Sequence, residues 1–331
     1  MRPLRGFTLA ALIFIGANLT LPLTALAAEP DVAFAAYQRG DYLTAFRLAT
    51  SRVEDKSDVK AMTLLAELYA NGLGVPRDDQ KAGEWYKFAA DRGDANAMLA
   101  LSMFRLEGRA GPRDRDAAAK LLASAAKLGQ PIAAYDLALL YMEGQLFPQD
   151  LKRAAELLRQ ASQAGNADAQ YALGTFYKEG RGVPKDLKQA VQLWSQAALA
   201  DNVDALVEYA IALYNGDGVA QNQQAAAALF RKAALRGSPI AQDRLAIILS
   251  SGKGAPANPT EAVKWHLISR AGGETDLSLD DYMTKLDPAT RAAAEKAAKP
   301  WLDGLAAMQQ MRQQQAQTQQ IPQIVKPPAK P

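Results

Sequence analysis

Between residues 169 and 198 the chain reads Ala169-Gln-Tyr-Ala-Leu-Gly-Thr-Phe-Tyr177, then Gly180-Arg-Gly-Val183, Asp186, Ala190 and Ala197-Ala198. Working outward from Gly180, glycine returns every 36 residues, at Gly72, Gly108, Gly144, Gly216 and Gly252. Alanine keeps the same interval at Ala61, Ala97, Ala133, Ala169, Ala205 and Ala241, and again at Ala82, Ala118, Ala154, Ala190, Ala226 and Ala262. Six copies in phase are an internal repeat, and a period of this size is the mark of a stacked array.

Each copy reads as two helices. In the first copy Ala61, Leu65, Leu68 and Tyr69 have the spacing of an apolar helical stripe. Gly72 then supplies the left-handed residue that closes a helix. A connector with proline at Pro76, Pro112, Pro148, Pro184 or Pro256 leads to Asp78, Asp114, Asp150, Asp186, Asn222 and Asn258, a column of N-cap residues. In the last copy Asn258, Pro259 and Glu261 spell a cap, a first-turn proline and a capping box. The second helix is predicted to bury Ala82, Trp85, Phe88 and Ala89 and to stop near Gly93. Gly129, Gly165, Gly237 and Gly273 match that stop, whereas Asp201 departs from it. Pro131 and Pro239 fall in the first turn of the next helix, where proline is tolerated. No such pair covers its own apolar face. The small-residue columns let successive pairs approach closely and stack at a constant angle.

The columns resemble the Sel1-like repeat, a relative of the tetratricopeptide repeat, and residues 169–198 carry its pattern most fully. The likeness runs from about Ala61 to Gly273, with Arg105 replacing a tyrosine and Leu146 replacing the second glycine of its copy. The resemblance implies an all-α, right-handed α/α superhelical solenoid of about six 36-residue helix pairs with capping helices at both ends. Residues 28–60, containing Tyr37-Gln-Arg-Gly-Asp-Tyr42, are predicted as an N-terminal capping pair, 61–273 as the repeats and 274–307 as C-terminal capping helices kinked at Pro300. Glutamine dominates from Met308, no acidic residue follows Asp303, and residues 308–331 are expected to be a disordered Gln/Pro-rich tail.

Residues 1–27 read as a signal peptide. Arg2 and Arg5 precede an apolar run that begins at Leu9–Ile15, and Ala25-Leu26-Ala27 offers small residues for cleavage. A periplasmic or secreted protein is expected, with no stable membrane insertion after cleavage, since no later segment is apolar enough to span a bilayer.

Composition removes most chemistries. The 331 residues include no cysteine, which excludes disulfides, thiolate metal sites and cysteine nucleophiles. The single histidine, His266, leaves no material for a zinc site or a Ser-His-Asp triad. It shares a column with Tyr86, Leu122, Leu158, Trp194 and Phe230 and is expected to be a packed helix residue. A formal charge of +3 with no basic stripe gives no basis for nucleic-acid binding. Ser57-x-x-Lys60 and Ser124-x-x-Lys127 have the serine–lysine spacing of penicillin-recognising enzymes, but no Lys-Thr-Gly accompanies them. Gly72-Leu-Gly74 and Gly180-Arg-Gly182 follow helices rather than strands and are turn glycines, not phosphate loops. No catalytic, metal or cofactor site is expected.

A binding surface remains. The resemblance to tetratricopeptide arrays implies that first helices line a concave groove. The columns beside the buried stripe give Leu99, Met103 and Leu106; Tyr135, Leu139 and Met142; Tyr171, Thr175 and Lys178; and Val207, Ile211 and Tyr214. Such an apolar, aromatic and methionine-bearing row suits a helix or extended peptide. The expected function is a non-enzymatic scaffold or regulator binding a protein segment there. The family resemblance suggests a membrane sensor kinase or an envelope or polysaccharide assembly as the setting. The alternatives are a β-lactam-binding or hydrolytic enzyme of the Sel1-like class and a cell-wall glycan binder.

Overall fold

A computed structural model of the chain describes residues 31–320, which are helix and connecting turn with no strand among them. The predicted signal segment and residues 321–331 lie outside the described residues. A short pair comes first, α1 (Val32–Gln38) and α2 (Tyr42–Lys56). Six longer pairs follow: α3 (Val59–Asn71) with α4 (Asp79–Ala90), α5 (Ala95–Glu107) with α6 (Arg115–Lys127), and α7 (Pro131–Glu143) with α8 (Leu151–Gln163). Next are α9 (Ala167–Glu179) with α10 (Leu187–Leu199), α11 (Val203–Asn215) with α12 (Gln223–Leu235), and α13 (Pro239–Ser251) with α14 (Pro259–Ala271). Then come α15 (Leu277–Thr284) and α16 (Pro288–Gln320). From α1 to α14 each helix packs on the next in sequence, and α16 returns to pack on α14. This is the predicted solenoid.

The columns do what their chemistry requires. Asp78, Asp114, Asp150, Asp186, Asn222 and Asn258 each accept a hydrogen bond from a first-turn amide of the second helix. A second cap column, Asp58, Asp94, Gln130, Asn166, Asn202 and Ser238, does the same for the first helices, so each pair begins just before its alanine. Gly180 closes α9 in the left-handed conformation, its N–H donating to the Phe176 carbonyl at 2.8 Å. Asp201 takes the left-handed φ of +64° that glycine has in the neighbouring copies, and its carboxylate meets Lys232 and Arg236 at 2.5 and 2.7 Å. Both alanine columns are buried, so the crossings are close.

Two expectations are corrected. Phe88 is 49% exposed and Trp85 only half-buried, while Tyr86 enters the core. The buried face of α4 runs Ala82, Tyr86, Ala89, and Phe88 lies round the helix from it, edge-on to Trp85. Glu261 does not return to its cap: the Asn258 amide donates to Leu249, and the carboxylate of Glu261 accepts from Trp265 Nε1 at 3.0 Å and Lys264 Nζ at 3.1 Å. α16 also reaches into the expected tail. It continues to Gln320, because alanine, glutamine, methionine and arginine are strong helix formers and poverty in apolar residues argues against burial, not against helix. Every side chain from Ala306 to Gln315 is exposed.

At the amino-terminal end Arg52 joins α1 to α3, its guanidinium contacting both Asp31 and Asp58. Burial alone would raise the Asp58 carboxyl, but the Ala61 amide and Arg52 outweigh it and hold it below the usual carboxylate range. A depressed carboxyl stabilises the fold fully above its unfolded value, roughly 4, and the contribution is lost as pH falls through the lower folded value. Hydrogen exchange in α1 and α2 is therefore expected to quicken as pH drops below about 4 relative to α9 and α10. Arg52→Gln should bring that loosening up to neutral pH. Equal protection in both regions at every pH would contradict it.

Candidate functional site

The first helices form one layer. Lys178 of α9 reaches Glu208 of α11 at 2.8 Å, and its ammonium lies 5.5 Å from the centre of the Trp194 ring. Ile211 and Tyr214 of α11 share a cavity of about 190 Å³ with Arg244 and Ile247 of α13. At the amino-terminal end Tyr37 of α1 donates to Glu67 of α3 at 2.7 Å. Burial first, then the hydrogen bond to Glu67, push the Tyr37 hydroxyl up to about 12. The equivalent of the apolar row is thus closed there by a polar pair.

Along α5, α7, α9 and α11 most of the predicted row is half-open. Leu99, Leu106, Tyr135, Leu139, Met142, Tyr171, Thr175, Lys178, Ile211 and Tyr214 are half-buried, and Met103 is 40% exposed. Val207 is the exception. It is 6% exposed and belongs to the core that also holds Trp194, Phe230 and Leu245. A valine is too short to rise out of the crossing where tyrosine does in the two preceding copies. Tyr135 and Met142 rest against the core of the middle repeats, and Tyr171, Ile211 and Tyr214 against that of the later ones. Their inner edges are therefore structural and their outer edges free. Thr175 spends its hydroxyl on the Tyr171 carbonyl at 3.2 Å.

Charges beside this row escape a search for apolar columns. Asp136 and Glu208 occupy the position next to Tyr135 and Val207, and this column is half-buried in both copies. Burial, with Asp168 and Asp136 adding to it, raises the Tyr135 hydroxyl; burial, with Asp204 and Glu208, raises that of Tyr171. Carboxylates thus surround the central tyrosines. Their signal in the sequence is a third 36-residue column, Ala100, Asp136, Ala172 and Glu208, hidden by its alternation with alanine.

The residues singled out for chemistry sit apart. Ser57 closes α2 in a left-handed turn while Lys60 lies in the first turn of α3, and the Ser124 hydroxyl donates to the Lys120 carbonyl at 2.9 Å. His266 is 1% exposed, as its column predicts, with Nε2 2.8 Å from Asp280 of α15. Its Nδ1 and Oδ1 of Asp243 are buried without hydrogen-bond partners. Among the described residues no group of three His, Cys, Asp or Glu side chains is placed to hold a metal ion. Among them, too, no helix is long and apolar enough to cross a membrane.

Stacked helix pairs with a half-open apolar face on one layer define an α/α repeat solenoid. The chain belongs to the Sel1-repeat family, whose model matches six consecutive copies at residues 59–94, 95–130, 131–166, 167–202, 203–238 and 239–273. A Sel1 repeat protein from Oxalobacter formigenes is similar in structure, with a TM-score of 0.62 at 25% identity over 74% of this chain and 96% of its own. So is c5321, a protective antigen present in uropathogenic Escherichia coli strains, with a TM-score of 0.57 at 25% identity over 90% of this chain and 73% of that one. No curated protein matches the chain in sequence. Sel1-repeat proteins are generally protein-interaction scaffolds, mainly non-enzymatic, and their solenoids bind protein partners.

Proposed function

We propose that this protein is a non-enzymatic scaffold of the periplasm or cell exterior, capturing a segment of a partner protein in the groove formed by α5, α7, α9 and α11. The observation that carries the reading is the row Leu99, Tyr135, Leu139, Met142, Tyr171, Ile211 and Tyr214. It is apolar over four successive repeats and remains half-open in each. Half-exposed tyrosine, leucine and methionine give a partner apolar area to bury at low ordering cost. The location is supported by Arg2, Arg5, the apolar run after them and Ala25-Leu26-Ala27. A sensor kinase facing the periplasm, or an envelope or polysaccharide assembly, is the setting for such a partner.

A photoreactive side chain at position 139 or 171 is expected to crosslink one discrete partner in cells, identified by mass spectrometry. Leu139→Glu combined with Tyr171→Glu should abolish that capture and leave helicity intact, with the melting temperature lowered only by what their inner edges contribute to the core. Met103→Glu, at the most open position, tests the same face without touching the core. Capture that survives all three substitutions would refute the groove, and unfolding by the pair would show that these side chains are core.

A further inference from the structure

The 36-residue period makes the two ends of the groove comparable position by position. Lys178 and Leu106 occupy one column, two repeats apart, and Glu208 and Asp136 occupy another. In the later copy the column pair is an ion pair, Lys178 to Glu208 at 2.8 Å. In the earlier copy the position equivalent to Lys178 carries Leu106. The Asp136 carboxylate has neither a hydrogen bond nor an ion pair with any described residue. It is half-buried among Tyr135, Leu139 and the rest of the row, and burial alone raises it above the ordinary range. Asp136 is not among the fully buried unpartnered groups, so its oxygens still reach water; a partner that covers them without a counter-charge incurs a cost, and a cation brought to them recovers much of it. Asp168, whose charge also reaches Tyr135, makes the same stretch of groove more negative.

We infer that the groove recognises a partner segment bearing a lysine or arginine between apolar residues, its cation meeting Asp136 beside Leu106 as Lys178 meets Glu208. The apolar neighbours of that cation lie on Met103, Leu139 and Met142, which supply adaptable contact, and Asp136 supplies register. This deepens the groove reading and rests on it. A purely apolar segment would leave Asp136 buried and unpaired, and an acidic one would be repelled. The carboxylate therefore selects as well as attracts.

The test is selection of a random peptide library displayed on phage against the full chain. Enriched peptides are expected to share a Lys or Arg flanked by apolar residues. Replacing that cation by norleucine in a synthetic copy should weaken binding about tenfold, the value of one charge-assisted contact. Leu106→Lys gives Asp136 an internal partner equivalent to Lys178. It should abolish the roughly tenfold difference between the cationic and norleucine peptides, whatever it does to the affinity they share, with circular dichroism showing the fold intact. Asp136→Asn should erase the preference as well. Peptides that depend on Leu139 and Tyr171 but show no cation preference would overturn the inference and leave the groove standing. A selection with no peptide sensitive to Leu139→Glu or Tyr171→Glu would overturn the groove itself.

Discussion

Gly182→Ala is expected to lower stability by about 2–4 kcal/mol, far more than the same change at Gly165. Both glycines have left-handed φ values, +65° at Gly182 and +86° at Gly165, so both substitutions carry the penalty of a side chain there, about 1 kcal/mol. Their surroundings differ. A Cβ on Gly165 meets nothing within 4 Å, whereas one on Gly182 falls 2.1 Å from the Leu151 carbonyl oxygen. That oxygen belongs to the first turn of α8, backbone in the preceding repeat, and it yields only if the two repeats part. Urea denaturation followed by circular dichroism measures the difference directly. Because each repeat is held by its neighbours, a wedge at this joint should also split the transition, with the repeats before α9 and those after it unfolding separately. Equal losses at Gly182 and Gly165 would mean that the loop adjusts and does not hold the joint.

The corresponding joint one pair of repeats earlier shows what a single copy conceals. Leu146 is plain in the sequence as a departure from the second-glycine column, and Ala110 departs from it less visibly. Ala110 keeps the left-handed conformation, with φ +53°, and its methyl is accommodated because α4 presents Gly83. A Cβ on Gly83 would come within 2.6 Å of that of Ala110. Glycine has moved from one side of a contact to the other. No column reading finds such an exchange, since the two positions lie in different repeats and in different columns.

The helices, their caps and the buried alanines are legible because local chemistry repeated in phase leaves one solution. The groove is legible in outline, and where the sequence misleads the cause is depth. Val207 sinks where Tyr135 and Tyr171 stand up, a consequence of side-chain length at a crossing whose closeness only the assembled pairs define. Asp136 escapes a pattern that follows apolar residues, and its meaning depends on Leu106 arriving from another helix. α16 extends to Gln320, into the expected tail, because a polar composition does not by itself abolish helix.

At the other end of the array, Trp265→Ala is expected to release the C-terminal cap while leaving the middle repeats folded. Trp265 is 1% exposed in α14, its indole N–H donates to Glu261 at 3.0 Å, and the Lys264 ammonium lies 4.5 Å from its ring centre. It also meets Trp301 of α16 edge-on, with ring centroids 5.4 Å apart. Truncating a buried tryptophan costs about 3–5 kcal/mol, and aromatic contact adds about 1 more. In a globular domain that loss would be shared by the whole molecule. Here α16 packs on α14 and has no further row of repeats beneath it, so the loss is concentrated at the end. Amide hydrogen exchange should show α14 and α16 losing protection together, with α5 to α10 nearly unchanged. Trp301→Ala, at a half-buried position, should loosen α16 less and spare α14. Uniform loss of protection along the chain after Trp265→Ala would show that the repeats unfold as one cooperative body, and the groove could not then be an independent central module.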